Sequence, residues 1–476
     1  MRIRRNAGAA HHEVAPYIDH ALTSSGAVIV APDAALREAL ESATESDPGH
    51  IPDARGDATD VPFVTVDPPG SRDLDQAVHV ERHARGWRVR YAIADVGAHV
   101  TPGSALDDLA HARGVTLYCP DRRIGLHPPE MSEAHASLLE GQRTKAVLWT
   151  LDIDPNGAVA LVGLERVWVR SRRQLTYAEV HAGADELTSE LRTLFAEVGD
   201  ARRLGVSRAG GVTLPKPEQE VDSRKERFYL TLRAALPCED DNAQVSLATG
   251  TVAAQAMVGA GAGVLRTMPP ASQEALDALR REALALGIVW PAGADYAEIL
   301  RAVDPQSPSG LAFLTAATRL FRGARWAAFD VAAGVPVPSP ATHGALAAPY
   351  AHVTAPLRRL VDRYATEAAL SAFTGRALQD WARAGLERAA QDTARGAALA
   401  GDVERRCVDA LESVVLRGWK GHVFEAVGID RTTVQLREPP VVGPCETPVP
   451  VGEAVAVVVA EAQPPQGPRF ASVSST

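Results

Sequence analysis

The chain has 476 residues, 46% of them hydrophobic and 23% charged, which suits an ordinary water-soluble protein of two to four domains. Its four cysteines (Cys119, Cys238, Cys407 and Cys445) lie far apart with no Cys/His ligand spacing, so a zinc site and a disulfide framework are both disfavoured and a reducing cytoplasm is expected. The net charge of −10 argues mildly against nucleic acid as a partner, but a whole-chain average does not exclude a local basic channel.

In chain order, the basic start MRIRR has no apolar run behind it, so no signal peptide is expected. Residues 1–60 read as a small, mostly helical N-terminal domain. Leu36, Leu40 and Ala43 are expected to share a buried face, with Pro32 and Asp33 as the start signal. The Pro/Gly/Asp-rich stretch 46–60 reads as a linker. Residues 61–170 are strand-rich, and 87–96 is expected to pair with 77–81 through a turn at 84–86. From 171 to 415 helices dominate. The apolar window 247–265 is rich in Ala, Gly and Val and is expected to be one buried helix, not a membrane span. Leu276, Leu279, Ala283 and Leu286 form one helical stripe with Ser272 as N-cap, and Val403, Cys407, Leu411 and Val414 form another. After Gly418 short β runs at 422–427, 433–436 and 454–460 predict a small OB-type β-barrel over 416–476.

The chemistry concentrates in TVDPPGSRDLDQ, residues 65–76. Asp73 and Asp75 are two apart, so in extended backbone their side chains point the same way. The turn at Pro68-Pro69-Gly70 lets Asp67 swing back beside them. Like charges this close repel, and such a cluster is usually held by a hard divalent cation, Mg²⁺ above all. The competing reading of the segment by itself is a solvated acidic turn.

This segment resembles the signature of the ribonuclease II / ribonuclease R (RNB) family: an Asp, five residues, an Asp, one residue, then two Asp. Asp67, Asp73 and Asp75 match, whereas Gln76 stands at the fourth position. AIADV (92–96), LYCPDRRI (117–124), PPEMS (128–132), RQLTYAEV (173–180) and YAHVTAPLRRLVD (350–362) are similar to further family segments in the same order. The resemblance implies an α+β multidomain architecture: a central mixed α/β catalytic module with an RNA channel over 61–415, then the C-terminal barrel. Family members typically carry two cold-shock-like barrels ahead of the catalytic module; here about 60 helical residues are expected instead.

The resemblance also implies roles. Asp67, Asp73, Asp75 and Gln76 would hold Mg²⁺ (Mn²⁺ as substitute), with Asp75 the most critical and Gln76 able to offer only a neutral carbonyl oxygen. Arg358 would contact the scissile phosphate; the alternative for it is an i,i+4 pair with Asp362 on a solvated helix face. Arg359 is an even choice between RNA and structure. Tyr118 would stack on the terminal nucleotide, and Glu404 would lie near the 3′ base. Asp95 reads as second-tier support for the carboxylates or as a strand-end cap. Ala355, Leu360 and the Thr366-Glu367 pair depart from the pattern and receive no role. His343 and His352 are acid–base candidates by type, though structural histidines are commoner.

The expected activity is Mg²⁺-dependent, hydrolytic, processive 3′→5′ degradation of single-stranded RNA to nucleoside 5′-monophosphates by a cytoplasmic monomer without membrane contact. Arg170, Arg172 and Arg173 are expected to help guide the strand. Two alternatives stand beside it: a catalytically weak or inactive RNA-binding protein on the same fold, which Gln76 favours, and a metal phosphohydrolase for a small substrate.

Overall fold

A computed structural model of the chain describes residues 2–3, 11–44, 47, 49–51, 55–212, 214, 218–224, 227–233, 235–305 and 307–473. The strand-rich region builds a seven-stranded sheet. Its spatial order is Arg173–Thr176, Val64–Asp67, Gln76–His83, Gly86–Ala94, Arg143–Ile153, Val159–Arg170 and Gly56–Asp57. The inner pairings are antiparallel, and the first and last strands join in parallel. The expected hairpin forms with Val78 opposite Tyr91, and its turn places Ala84 at φ +48°.

Both faces of the sheet are covered, and the alternation of side chains says how. Val78, Val80, Val89, Tyr91, Ile93, Val147 and Trp149 face one way, against helices Glu186–Arg208, Pro237–Ala260 and Leu360–Thr374. Ala77, Ala92, Ala94, Ala146 and Leu148 face the other way, against Asp33–Glu41 and Ala105–Arg113. The small residues on this second face let the two shorter helices approach closely. Each large side chain buried in these layers contributes about 1.5–3 kcal/mol.

Several expectations change. The window 247–265 is not one helix. Helix Pro237–Ala260 stops at Gly261, whose φ of +80° ends the helical path, and Ala262–Thr267 is a strand paired antiparallel with Arg325–Asp330. Helix Asp33–Glu41 buries Ala35 and Ala39, while Leu40 is 59% exposed. It docks through its small face, and the Glu38 carboxylate accepts from the backbone N–H groups of Ala105 (3.2 Å) and Leu106 (2.7 Å). The described segments of residues 1–60 pack on different neighbours. Arg2–Ile3 pairs with Glu220–Val221, His11–Ser24 packs on the long helix Asp380–Leu416, and Gly56–Asp57 extends the central sheet. Part of the expected linker, residues 46, 48 and 52–54, lies outside the described residues. The hairpin Glu218–Arg224/Arg227–Arg233 was not expected within the helical region.

The stripe at 276–286 buries Leu279 and Ala283, and Ser272 Oγ accepts the Ala275 N–H at 3.2 Å. Val403, Cys407 and Leu411 lie on the buried side of Asp380–Leu416. That helix of 37 residues spans about 55 Å. Its last turns share one core with the C-terminal barrel (Ala426, Val434, Leu436, Val457, Phe470), with Val14, Ile18 and Leu22, and with Leu117, Cys119 and Ile124. The barrel sheet runs Val442–Pro444, Thr433–Leu436, Val423–Gly428, Ala454–Glu461, Arg469–Ser472. Its two outer strands are short and were not read from the sequence. No helix among the described residues is long and apolar enough to cross a membrane.

Glu412 stitches this junction. It is 3% exposed, and its Oε1 accepts from Gln219 Nε2 at 2.8 Å, while the same Nε2 also donates to the Pro440 carbonyl at 2.8 Å. Burial lifts its pKa to about 8, and the hydrogen bond from Gln219 opposes the rise. A carboxyl that holds its proton more tightly when folded gives stability present in full below its unfolded pKa and lost as pH rises through about 8. Thermal melts at pH 5.5 and 8.5 are therefore expected to differ less for Glu412→Gln than for the wild type, and an equal difference would remove Glu412 from this role.

Candidate active site

Asp67 ends strand Val64–Asp67, opposite Thr176. The chain then turns at Pro68-Pro69-Gly70, with Gly70 at φ +80°. It returns extended because residues 137 and 138 hold it. Ser137 Oγ accepts the Leu74 N–H (2.8 Å) and donates to the Arg72 carbonyl (2.6 Å), while the Leu138 N–H donates to the Leu74 carbonyl (3.0 Å). Leu74 is sunk into the second core face, so alternation turns Asp73 and Asp75 the opposite way.

The charge of Asp73 reaches both Asp67 and Asp75 and raises the pKa of each. Asp75 is 4% exposed. Its Oδ1 accepts the Leu357 N–H at 2.8 Å, and its Oδ2 stands 3.6 Å from Arg358 Nε. Burial pushes its pKa up to about 8, against the pull of Arg358 and the Leu357 N–H. Burial likewise pushes Asp67 up to about 7, opposed by Arg358, and Asp67 Oδ2 has no hydrogen-bond partner. One buried and one half-buried carboxylate short of positive charge, the latter with an orphaned buried oxygen, are donors that suit a hard cation.

Asp73 and Gln76 are otherwise engaged. Asp73 pairs with Arg123, and Gln76 Nε2 donates to the Thr354 carbonyl. Among the described residues, no three His, Cys, Asp or Glu side chains already stand together as a metal cage. The residues that fit a cation as they stand are Asp67 and Asp75.

The arginines come from a turn, not a helix. Helix Leu360–Thr374 begins after Arg359, because residues 114–116 hold the preceding turn: the Thr116 N–H donates to the Arg358 carbonyl and the Leu360 N–H to the Gly114 carbonyl. The Arg358 side chain is 45% exposed beside Asp75. The partner of buried Asp362 is Arg359, not Arg358; its fork meets both carboxylate oxygens at 2.8 Å. Asp362 also accepts the Ala355 N–H at 2.7 Å. Arg359 is thus a brace of the turn that aims Arg358.

Tyr118 sits on the small hairpin Leu117–Tyr118/Arg123–Ile124 and is 45% exposed. The charges of Arg358, Asp73 and Asp75 all reach its hydroxyl, so the ring stands at the carboxylate pocket. Glu404 is half-buried on the long helix, within electrostatic reach of Cys407, which hydrogen-bonds Cys119, the residue after Tyr118.

Asp95 is not beside the carboxylates. It is buried with Arg55 (2.5 Å) and Arg166 (3.1 Å), which hold its carboxyl well below the usual range despite burial. Its side chain caps no strand or helix end. His352 is half-buried, accepts from Trp326 Nε1 at 3.1 Å, and has its pKa held well below the usual value by desolvation and by Arg359, Arg266 and Arg358. His343 is also depressed by burial, so neither histidine is an acid near neutral pH. Arg172 and Arg173 are tied to the Asp60 carbonyl and to Asp185. Sequence reasoning missed Arg123, Glu133 and Ser137. Arg123 lay inside a recognised segment, but nothing local marked its partner fifty positions away.

The RNB domain model matches residues 55–372, and the RNase II-type exonuclease C-terminal S1 domain model matches residues 418–470. Ribonuclease R of Escherichia coli is 27% identical over 354 residues, 69% of this chain and 41% of that protein. The aligned stretches span between 20% and 41% of the first curated relatives. Mycoplasma genitalium RNase R in complex with ribose-methylated single-stranded RNA superimposes with a TM-score of 0.84 at 19% identity, over 97% of this chain and 78% of that one. Yeast Ssd1, a pseudonuclease, superimposes with a TM-score of 0.62 at 14% identity, over 90% of this chain and 55% of that one. With the acidic segment, the turn of Arg358 and the hairpin of Tyr118 all inside the matched stretch, the chain belongs to the RNB domain family.

Proposed function

We propose that the chain is a Mg²⁺-dependent exoribonuclease, with Mn²⁺ as a substitute. It shortens single-stranded RNA from the 3′ end, stays on the strand between cuts and releases nucleoside 5′-monophosphates. It works as a cytoplasmic monomer. The observation that carries this reading is the buried carboxylate of Asp75 and the half-buried one of Asp67, with its orphaned buried oxygen, beside the half-exposed Arg358 and Tyr118. A cation bound by Asp67 and Asp75 would supply an activated water and neutralise charge on the leaving 3′ oxygen. Arg358 donates to the scissile phosphate as negative charge grows there. Asp75 orients the attacking water through Oδ2. Tyr118 stacks on the terminal base without regard to its identity, and contacts to the 2′-OH separate RNA from DNA. On the barrel, Trp419 is 48% exposed, and the rings of Trp419, His422 and Phe424 meet edge-on with centroids 4.8–6.0 Å apart. They form a platform for incoming bases.

One observation favours a second reading, an RNA-binding protein of weak or no activity: Gln76 is neutral and bonded to the Thr354 carbonyl. A 5′-labelled single-stranded RNA separates the two. Mononucleotide release with Mg²⁺ or Mn²⁺, and none from DNA of the same sequence, is expected. RNA bound but left intact with both metals would establish the second reading.

Asp75→Asn is expected to lower turnover by at least about 100-fold while RNA affinity stays close to wild type, since the loss falls on charge stabilisation at the reacting centre. Wild-type turnover in that variant would refute the site. Trp419→Ala is expected to weaken RNA binding by about 5- to 150-fold, the equivalent of one stacked base at about 1–3 kcal/mol, with little change in the salt slope. Unchanged affinity would take the platform out of the RNA path.

A further inference from the structure

Two of the four positions in the acidic segment are committed before any cation arrives. Asp73 is paired with Arg123, and the same guanidinium is gripped from its other side by Glu133, at 2.5 Å from Nη2 and 3.1 Å from Nε. The pair is sheltered, with the Arg123 side chain 16% exposed and that of Asp73 14%. Arg123 is also fixed by its backbone, as the strand partner of Tyr118. Gln76 carries no charge, and its amide N–H is spent on the Thr354 carbonyl. What remains without a tight cationic partner is Asp67, with its orphaned Oδ2, and Asp75, whose nearest cation is Arg358 at 3.6 Å.

A pair of divalent cations brings four positive charges into a pocket. Asp67 and Asp75, with Arg358 alongside, offset one such ion well and a second poorly, because like charges a few ångströms apart repel strongly where water is scarce. We infer that this site takes a single divalent cation, on Asp67 and Asp75, and that the Arg123 guanidinium, fixed on Asp73, stands where other charge would be needed to admit a second. Arg123 is thus a positioning residue. It sets how many ions the pocket holds and couples Asp73 to the hairpin that carries Tyr118. This inference rests on the metal-dependent reading above and specifies its stoichiometry.

The test is a count of Mn²⁺ bound to the full chain without RNA, by titration calorimetry and by the electron paramagnetic resonance signal of free Mn²⁺. Wild type is expected to bind one ion, and Asp67→Asn none. Arg123→Gln/Gln76→Asp, which frees Asp73 and adds a carboxylate, is expected to bind two. Gln76→Asp alone, with Arg123 in place, is expected to bind one ion more tightly than wild type. Two ions on wild type, or a folded double variant that still binds one, would overturn the inference and leave the metal-dependent reading intact. No bound Mn²⁺ on wild type would overturn that reading and this inference with it. The wild-type count decides the matter even if the double variant does not fold.

Discussion

The controlling constraint is the cost of keeping the Asp75 carboxylate and Oδ2 of Asp67 from water with the charge of Asp73 in reach. Nothing within residues 65–76 offsets that cost. The compensating groups come from far along the chain: Ser137 and Leu138 hold the backbone of residues 72–74, Leu357 lends an N–H, and Arg358 lends a guanidinium. Leu357 is itself packed in the second core face, so its N–H is fixed by the same layer that fixes Leu74. The sheet and its covering helices are therefore the frame that makes an acidic pocket tolerable. Without that frame the segment would be the solvated turn that its local sequence equally allows.

What was legible followed from periodicity and spacing. The partial alternation in 87–96, with 77–81 as its partner, indicated the central hairpin, and the three aspartates pointed to the acidic site. What was illegible depended on partners remote in sequence. Leu40 looked like a core residue by spacing, but the facing helix leaves room only for Ala35 and Ala39. Arg358 looked like a helix residue, spaced for an i,i+4 pair with Asp362. Pairing with residues 114–116 instead holds Arg358 in the turn before the helix. Residues 247–265 looked uniform because Gly, Ala and Val suit both a buried helix and a buried strand, and only the left-handed Gly261 divides them.

A second cluster of charge lies under the sheet and has a different logic. Arg55, Asp95, Arg166 and Glu367 form a chain of buried pairs, and Lys145, 1% exposed, meets Asp47 at 3.2 Å. Trp168 receives the guanidinium of Arg143 at 4.1 Å. Here each acid has its base. Such pairs add little net stability but strongly penalise misalignment, because one missing partner leaves a bare charge inside. Glu367 thereby has a structural explanation: it answers Arg166 on the neighbouring strand. The two clusters differ in purpose, since one is neutralised within the protein and the other is left short of positive charge.

The barrel matched over residues 418–470 is a unit of inheritance, yet water sees no seam there. Val403, Cys407, Leu411 and Leu416 belong to the helix before it and complete its interior. A barrel exchanged between homologues at residue 418 would arrive with part of its oily lining missing and would leave that part stranded on the donor helix. Recombination that preserves this interior has to cross well upstream, where the helix is still half solvated, so the natural joint of this protein runs through the middle of a helix.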